Sequence, residues 1–398
     1  MVGQIRNDSI VITGVGMVSS LAHDAATACA AYRAGLSGAS ELDGQFVFNE
    51  EQNEFENVVG HKILVVGNGF EGFARVLCIG WYALEDLLAR VDIRSMDPTK
   101  IGLYLALPMG WNRLKEVAEQ GAQYDPLDGV DSSDSEPSKN DDDSLTLLLC
   151  ERLAGLAKIH IPEQHRRTFQ CGHAGFPMAL AAAMQDLRIG RLTQCIVAGL
   201  DSLIESPALQ WLSDKELLKT KYNPVGLQPG EAGALVCLET YATALQRNAD
   251  ILAEVAAVTL GHEPVNFLSG QQSLGKGLAN TVAQLFAMIL HRKVVRPWIF
   301  TDQTGEAHRA NEWGYALVRL IASDAGFRDA LTACPAEAFG DTGAASGGVS
   351  TCCVVTAFSR GYAAADDVII TSSSYDGKRA AVFLTRGTSN RARKDRSV

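Results

Sequence analysis

The stretch TFQCGHAGFPMALAAAM (168–184) sets a thiol, Cys171, and an imidazole, His173, two residues apart just ahead of a run of small residues. A helix of small residues can lie close against other backbone, and its amino terminus lowers the pKa of a nearby thiol. A cysteine at such a place could act as a nucleophile, and a histidine could take or hold a proton. On an extended segment the two side chains share one face, with Cys171 further from the helix start. The alternatives without catalysis are a small buried thiol and a neutral, hydrogen-bonded imidazole.

The elements behind these residues repeat. AGFPMALAAAMQDLRIGRLTQCIVAGLDS (174–202) reads as a small-residue helix, Gly190, an apolar strand and polar residues; AASGGVSTCCVVTAFSRGYAAADDVIITSSS (344–374) has the same order around Gly361. The two glycines are 361 − 190 = 171 residues apart. Glycine at these places fits a left-handed helix cap, and short all-apolar strands fit a sheet covered on both faces. A further βα unit opens each half, DSIVITGVGMVSSLAHDAATACAAYRAG near the start and ILAEVAAVTLGHE followed by GKGLANTVAQLFAMIL after residue 250. The pattern predicts an α/β chain of two similar halves, 1–245 and 246–385, layered α/β/α/β/α, with a basic flexible tail at 386–398.

Composition narrows the function. A chain of 398 residues with 47% hydrophobic content can bury a large core, and length suggests two or three domain-sized units. The first residues carry Arg6 and Asp8 ahead of a short apolar run, so neither a secretory leader nor a membrane span is expected, and the cytoplasm is the default. The nine cysteines include no CxxC pair; buried reduced thiols are expected and no metal site. The adjacent Cys352 and Cys353 should point to opposite sides of a helix as core packing. A net charge of −11 argues against nucleic acid as a partner. Most of it sits in QYDPLDGVDSSDSEPSKNDDDS (123–144), which reads as a solvated loop and lacks calcium-loop spacing.

Two lookalikes imply no cofactor. GQQSLGKG (270–277) has the Gly-x4-Gly-Lys spacing of a phosphate loop, but Gly277 stands where a hydroxyl would hold magnesium. In GVGMVS (14–19) Ser19 replaces the third glycine of a dinucleotide turn, and a tight βα turn accounts for the other two. Arg166, Arg167, Arg188 and Arg191 could meet an acidic partner, or form an ordinary solvated face.

IVITGVGMVSSLAHDAATACAAYRAGLSG, HAGF, GLQPGEAGALVCLE (226–239) and GDTGAASG (340–347), in this order, resemble the β-ketoacyl synthases of the thiolase fold, over about residues 9–385. The resemblance implies the duplicated five-layer architecture, a cysteine nucleophile at the start of the first central helix, and two histidines, or a histidine and an asparagine, from the second half. It also implies an acyl carrier protein as partner and a dimer paired through about residues 167–172. The site residues depart from the pattern. His173 stands at the nucleophile's place, with Cys171 two residues earlier. Asp302 or a neighbour stands at the first histidine's place, and His308 nearby reads as a surface residue. Asp341 stands at the second histidine's place, and the closing loop SSSYDGKRAAV brings Asp376, Lys378 and Arg379 where small residues are expected.

Three functions follow as expectations: an acyl-pocket binding, adaptor or chaperone-like subunit without decarboxylative condensation; an active synthase or acyltransferase using Cys171, with His173 and Asp341 as helpers; or an inactive dimer partner of an active ketosynthase.

Overall fold

A computed structural model describes residues 6–49, 53–93, 97–109, 139–289 and 296–387. The strands are β1 (Ile10–Ser19), β2 (Ser40–Asn49), β3 (Glu54–Gly60), β4 (Ile101–Leu107), β5 (Arg166–Gln170), β6 (Gln194–Ser202), β7 (Glu231–Thr240), β8 (Ala253–His262), β9 (Trp298–Phe300), β10 (Leu331–Ala333), β11 (Asp367–Ser373) and β12 (Lys378–Arg386). The helices, numbered over the described residues, are α1 (Ala25–Arg33), α2 (Gly72–Leu88), α3 (Lys139–Ala157), α4 (Gly175–Arg188), α5 (Ser206–Asp214), α6 (Tyr241–Gln246), α7 (Lys276–Met288), α8 (Ala307–Ser323), α9 (Ala336–Phe339) and α10 (Ser346–Arg360).

Ten strands join in the order β10-β9-β11-β12-β8-β1-β7-β6-β4-β5. The first five-strand group runs β5-β4-β6-β7-β1 and the second β10-β9-β11-β12-β8, so each uses its own strands in the order third, second, fourth, fifth, first. Directions match as well. β4 lies parallel to β5 and β6 as β9 lies parallel to β10 and β11, and the last two pairings of each group are antiparallel. The groups meet where Ile10–Ile12 pairs with Ala253–Val255.

Alternation along the strands builds the layers, because successive side chains face opposite sides. Val197 and Val236 of the first group, with Ile370 and Val382 of the second, close on α4 and α10 through Phe176, Leu180, Val349 and Val354. Their neighbours Ile196 and Leu235 face outward onto α2 and α3, while Ile369, Ala381 and Phe383 face α7 and α8. The result is five layers: α2/α3, sheet, α4/α10, sheet, α7/α8. Each buried large aliphatic side chain contributes roughly 1.5–3 kcal/mol. The central helices end as expected, at Gly190 (φ +72°) and Gly361 (φ +75°).

The fold corrects three expectations. Gly14 and Gly16 do not make a βα turn: β1 runs on to Ser19 and packs against α2 so tightly that a Cβ at Gly16 would fall 2.2 Å from the Ala83 carbonyl oxygen. The end of the acidic stretch, 139–144, belongs to α3; residues 123–138 lie outside the described residues. The tail does not begin at 386, because Arg386 closes β12, is buried, and pairs with Asp366 at 2.5 Å; residues 388–398 lie outside the described residues. Three of the four surface arginines have partners within the chain: Arg166 donates to the Ile161 carbonyl, while Arg167 and Arg191 reach the buried Asp186 carboxylate. At the phosphate-loop lookalike, the amide of Gly277 in the first turn of α7 is already taken by the Glu263 carboxylate at 2.6 Å.

Candidate functional site

The site lies beyond the carboxyl ends of β5, β6, β9 and β11, the edge at which open α/β sheets bind ligands. Each central helix is entered through a three-residue 3₁₀ turn, Gly172–Ala174 before α4 and Gly343–Ala345 before α10. The repeat therefore extends to these turns, which open on left-handed glycines, Gly172 (φ +52°) and Gly343 (φ +50°). Each turn is held by the other half. Ser374, after β11, accepts from the Ala174 amide at 2.9 Å and donates to the Cys171 carbonyl at 2.6 Å. Asp201, near the end of β6, accepts from the Ala344 amide at 2.7 Å. Glycine is required at 343, since a Cβ there would fall 2.0 Å from Asp201 Oδ2.

His173 and Asp341 are brought together. His173 Nε2 donates to Asp341 Oδ1 at 2.7 Å, with the residues 3% and 1% exposed. Asp341 is fixed by backbone pairing with the GLQPGEAG segment, its amide on the Gln228 carbonyl and its carbonyl on the Gly230 amide, each at 2.8 Å. Its carboxylate also accepts from the Gly343 amide at 2.8 Å. Burial alone would raise the Asp341 pKa, but His173, Arg309 and the Gly343 amide outweigh it and hold the group at about 2. Asp341 is thus a fixed acceptor and no donor at neutral pH.

Arg309, from the first turns of α8, fills the space behind the ring. Its Nη2 lies 3.3 Å from His173 Nδ1, and a guanidinium can only donate, so Nδ1 accepts and the ring proton sits on Nε2. The same guanidinium reaches Glu306 at 2.7 Å, Asp302 at 3.1 Å and the Ser373 carbonyl at 2.7 Å. Asp302 accepts from the Ser373 amide, tying the ends of β9 and β11; burial nevertheless pushes its pKa up against the nearby Arg309. Arg379 continues the network through Glu312 at 2.6 Å.

Cys171 is placed differently. It is half-buried, is not among the residues lining the cavity beside His173, and has Lys378 and Asp376 as its charged neighbours. Burial pushes its thiol up, Lys378 opposes this, and Asp376 adds to it. Lys378 and Asp376 pair with each other. His308 is not a surface residue: it packs 4.7 Å from the Phe267 ring and 5.8 Å from Tyr375, and burial lowers its pKa to about 4.

Sequence reasoning missed Asp201, Arg309, Trp211 and Tyr375. Tyr375 forms a wall of two cavities, a mixed one of about 20 Å³ beside His308 and Arg309 and an apolar one of about 80 Å³ beside His173. Its ring stands 5.3 Å from Trp211 and 4.9 Å from the Arg309 guanidinium carbon, and its hydroxyl donates to Glu306 at 2.8 Å. The signals were adjacent: Arg309 follows His308, and Tyr375 precedes Asp376 in the closing loop. Among the described residues no cluster of His, Cys, Asp and Glu could hold a metal ion, and no helix is long and apolar enough to cross a membrane.

No protein-family model matches the chain, and no curated protein sequence matches it significantly. Solved structures do match. One is a chain of the AntDE:AntF assembly, a type II PKS acyl-carrier protein in complex with its ketosynthase bound to the hexaketide, at TM-score 0.73 and 14% identity, covering 96% of this chain and 100% of that one. The ishigamide ketosynthase/chain length factor matches at TM-score 0.73 and 16% identity, over 95% and 99% of the two chains. A β-ketoacyl synthase from Burkholderia phymatum STM815 matches at 0.71 and 13%, over 95% and 99%. Taken with the duplicated strand order and the five layers, these likenesses show that the chain has the thiolase fold as ketosynthases build it.

Proposed function

We propose that this protein is a ketosynthase-fold subunit that does not perform decarboxylative condensation and instead holds an apolar ligand beside His173 as a binding, adaptor or chaperone-like partner. The observation that carries the reading is the hydrogen-bonded chain Asp341–His173–Arg309. Condensation of the ketosynthase kind needs a thiolate at the helix start and imidazoles to assist as charge develops on the substrate. Here an imidazole occupies the thiol's place and both its nitrogens are engaged. The positions matching the two histidines carry Asp302 or a neighbour, and Asp341, and an ionised carboxylate beside a developing oxyanion opposes the reaction. The Cys171 thiol is shifted away from the thiolate.

The division of the chain near residue 245 and pairing of two copies through β5, the edge strand of the sheet, belong to the same proposal. An acyl carrier protein is a candidate partner, by analogy with the neighbour solved with one. The test is intact-mass spectrometry after incubation with acyl thioesters, on the wild type and Cys171→Ala. We expect no added acyl mass on either. An adduct on the wild type that Cys171→Ala removes would establish the active-enzyme alternative; co-purification with a ketosynthase paralogue would favour the inactive-partner one.

A further inference from the structure

A second hollow, open to solvent and of about 500 Å³, lies between α1 and the far end of α10. α10 runs from Ser346, beside the site, to Arg360, and a rise of 1.5 Å per residue sets Arg360 roughly 20 Å from the helix entrance. The methyl groups of Ala26, Ala30 and Ala34 form one side of the hollow, and Arg33, Arg360 and Tyr362 stand around it. Its volume is that of a small-molecule pocket.

Among the described residues, neither arginine reaches a carboxylate or donates to a carbonyl. Basic side chains in the last turn of a helix suit its negative end, and Arg33 and Arg360 hold that place in α1 and α10. That role calls for neither a hollow nor a ring. Arg33 nevertheless lies over Tyr362, its guanidinium carbon 4.2 Å from the ring centre, a contact that orients the fork and leaves its N–H groups to donate. Burial pushes the Tyr362 hydroxyl up, the Cys29 and Cys353 thiols add to this, and both arginines pull it down. The hydroxyl stays protonated at neutral pH, and both cations act on it from the same hollow.

We propose that this hollow binds a phosphate monoester with a compact, flat body, the phosphate held by Arg33, Arg360 and the Tyr362 hydroxyl and the body laid on the alanine row. Guanidinium forks match phosphate oxygens bidentately. A monoester brings three acceptor oxygens and a charge of about −1.5 to −2, enough for two forks, whereas a carboxylate brings two oxygens and one charge. Alanines at i, i+4 and i+8 present a strip of small side chains about 12 Å long, with room above it for a ring. The site is separate from the cavity beside His173, so it stands whether or not that cavity carries acyl chemistry.

Isothermal titration of the full chain with phenyl phosphate, inorganic phosphate and benzoate tests the assignment. We expect phenyl phosphate to bind most tightly, and Arg33→Ala and Arg360→Ala each to weaken it about tenfold or more. Ala30→Glu, which brings a carboxylate to the alanine row, should abolish binding. Arg33, Ala30 and Arg360 are exposed, so these variants should fold, and thermal melts by circular dichroism separate lost binding from lost structure. Two controls should bind as the wild type does: Arg188→Ala, which removes an exposed arginine of α4, and Ala208→Phe, which fills the cavity beside His173. Phenyl phosphate no tighter than inorganic phosphate or benzoate, wild-type affinity in both arginine variants, or loss of binding in Ala208→Phe would overturn the assignment.

Discussion

Arg309 carries the charge balance of the site, because two carboxylates, Asp302 and Glu306, and the acceptor nitrogen of His173 all meet its guanidinium. Removing one partner of a buried ion pair leaves the others uncompensated, at about 3–5 kcal/mol. Arg309→Ala should therefore lose stability of that order in urea unfolding, and Arg309→Lys a large part of it, since an ammonium cannot reproduce the fork. Asp201 gives a pH signature. Its folded pKa of about 7 lies above the ordinary aspartate value of 3.8, so the folded state holds the proton more tightly, and stability falls as pH rises between these values and levels off above. The span of about three units is worth on the order of 4 kcal/mol. Glu205, also raised to about 7 by burial, adds to the same slope. Asp201→Asn should flatten the decline between pH 5 and pH 7.5 without removing it; an unchanged slope would contradict the assignment. At this scale the sequence was partly legible. His173 and Asp341 stood out because the sequence resemblance implies a cysteine and a histidine where they stand. Arg309 and Asp201 did not, since an arginine near a histidine and an aspartate ending a strand have no spacing that marks them as neighbours across the two halves.

Among the elements, the paired 3₁₀ turns decide where His173 and Asp341 stand. Their glycines share a left-handed φ but not their surroundings. A Cβ at Gly172 would meet only Ser374 Oγ at 3.7 Å, whereas one at Gly343 would sit 2.0 Å from Asp201 Oδ2. Gly172→Ala should thus cost little more than the backbone strain, roughly 1–2 kcal/mol, while Gly343→Ala should cost clearly more and shift the His173 ring signals in NMR as Asp201 moves. Equal losses would contradict the reading of Asp201 as wedged against that turn. The helices, their glycine caps and the following strands were readable from periodicity and repeat. The course of β1 was not, because a glycine in a turn and a glycine pressed against a helix look alike in sequence; only α2, distant along the chain, separates them.

For the whole molecule, duplication places each half's helix entrance under the other half's strand ends, so the site exists only once both halves are folded. Truncation near residue 245 should leave Ala174 without Ser374 and Ala344 without Asp201, and neither half alone should show the His173 environment. Chemistry is the most direct test of the central claim, that an imidazole–carboxylate–guanidinium chain stands where a thiol and imidazoles would drive condensation. The measurement is release of carbon dioxide from a malonyl thioester by the purified protein, with Cys171→Ala and His173→Ala beside it. The account predicts no release above the uncatalysed background in any of the three; catalysed release by the wild type that either substitution abolishes would contradict it.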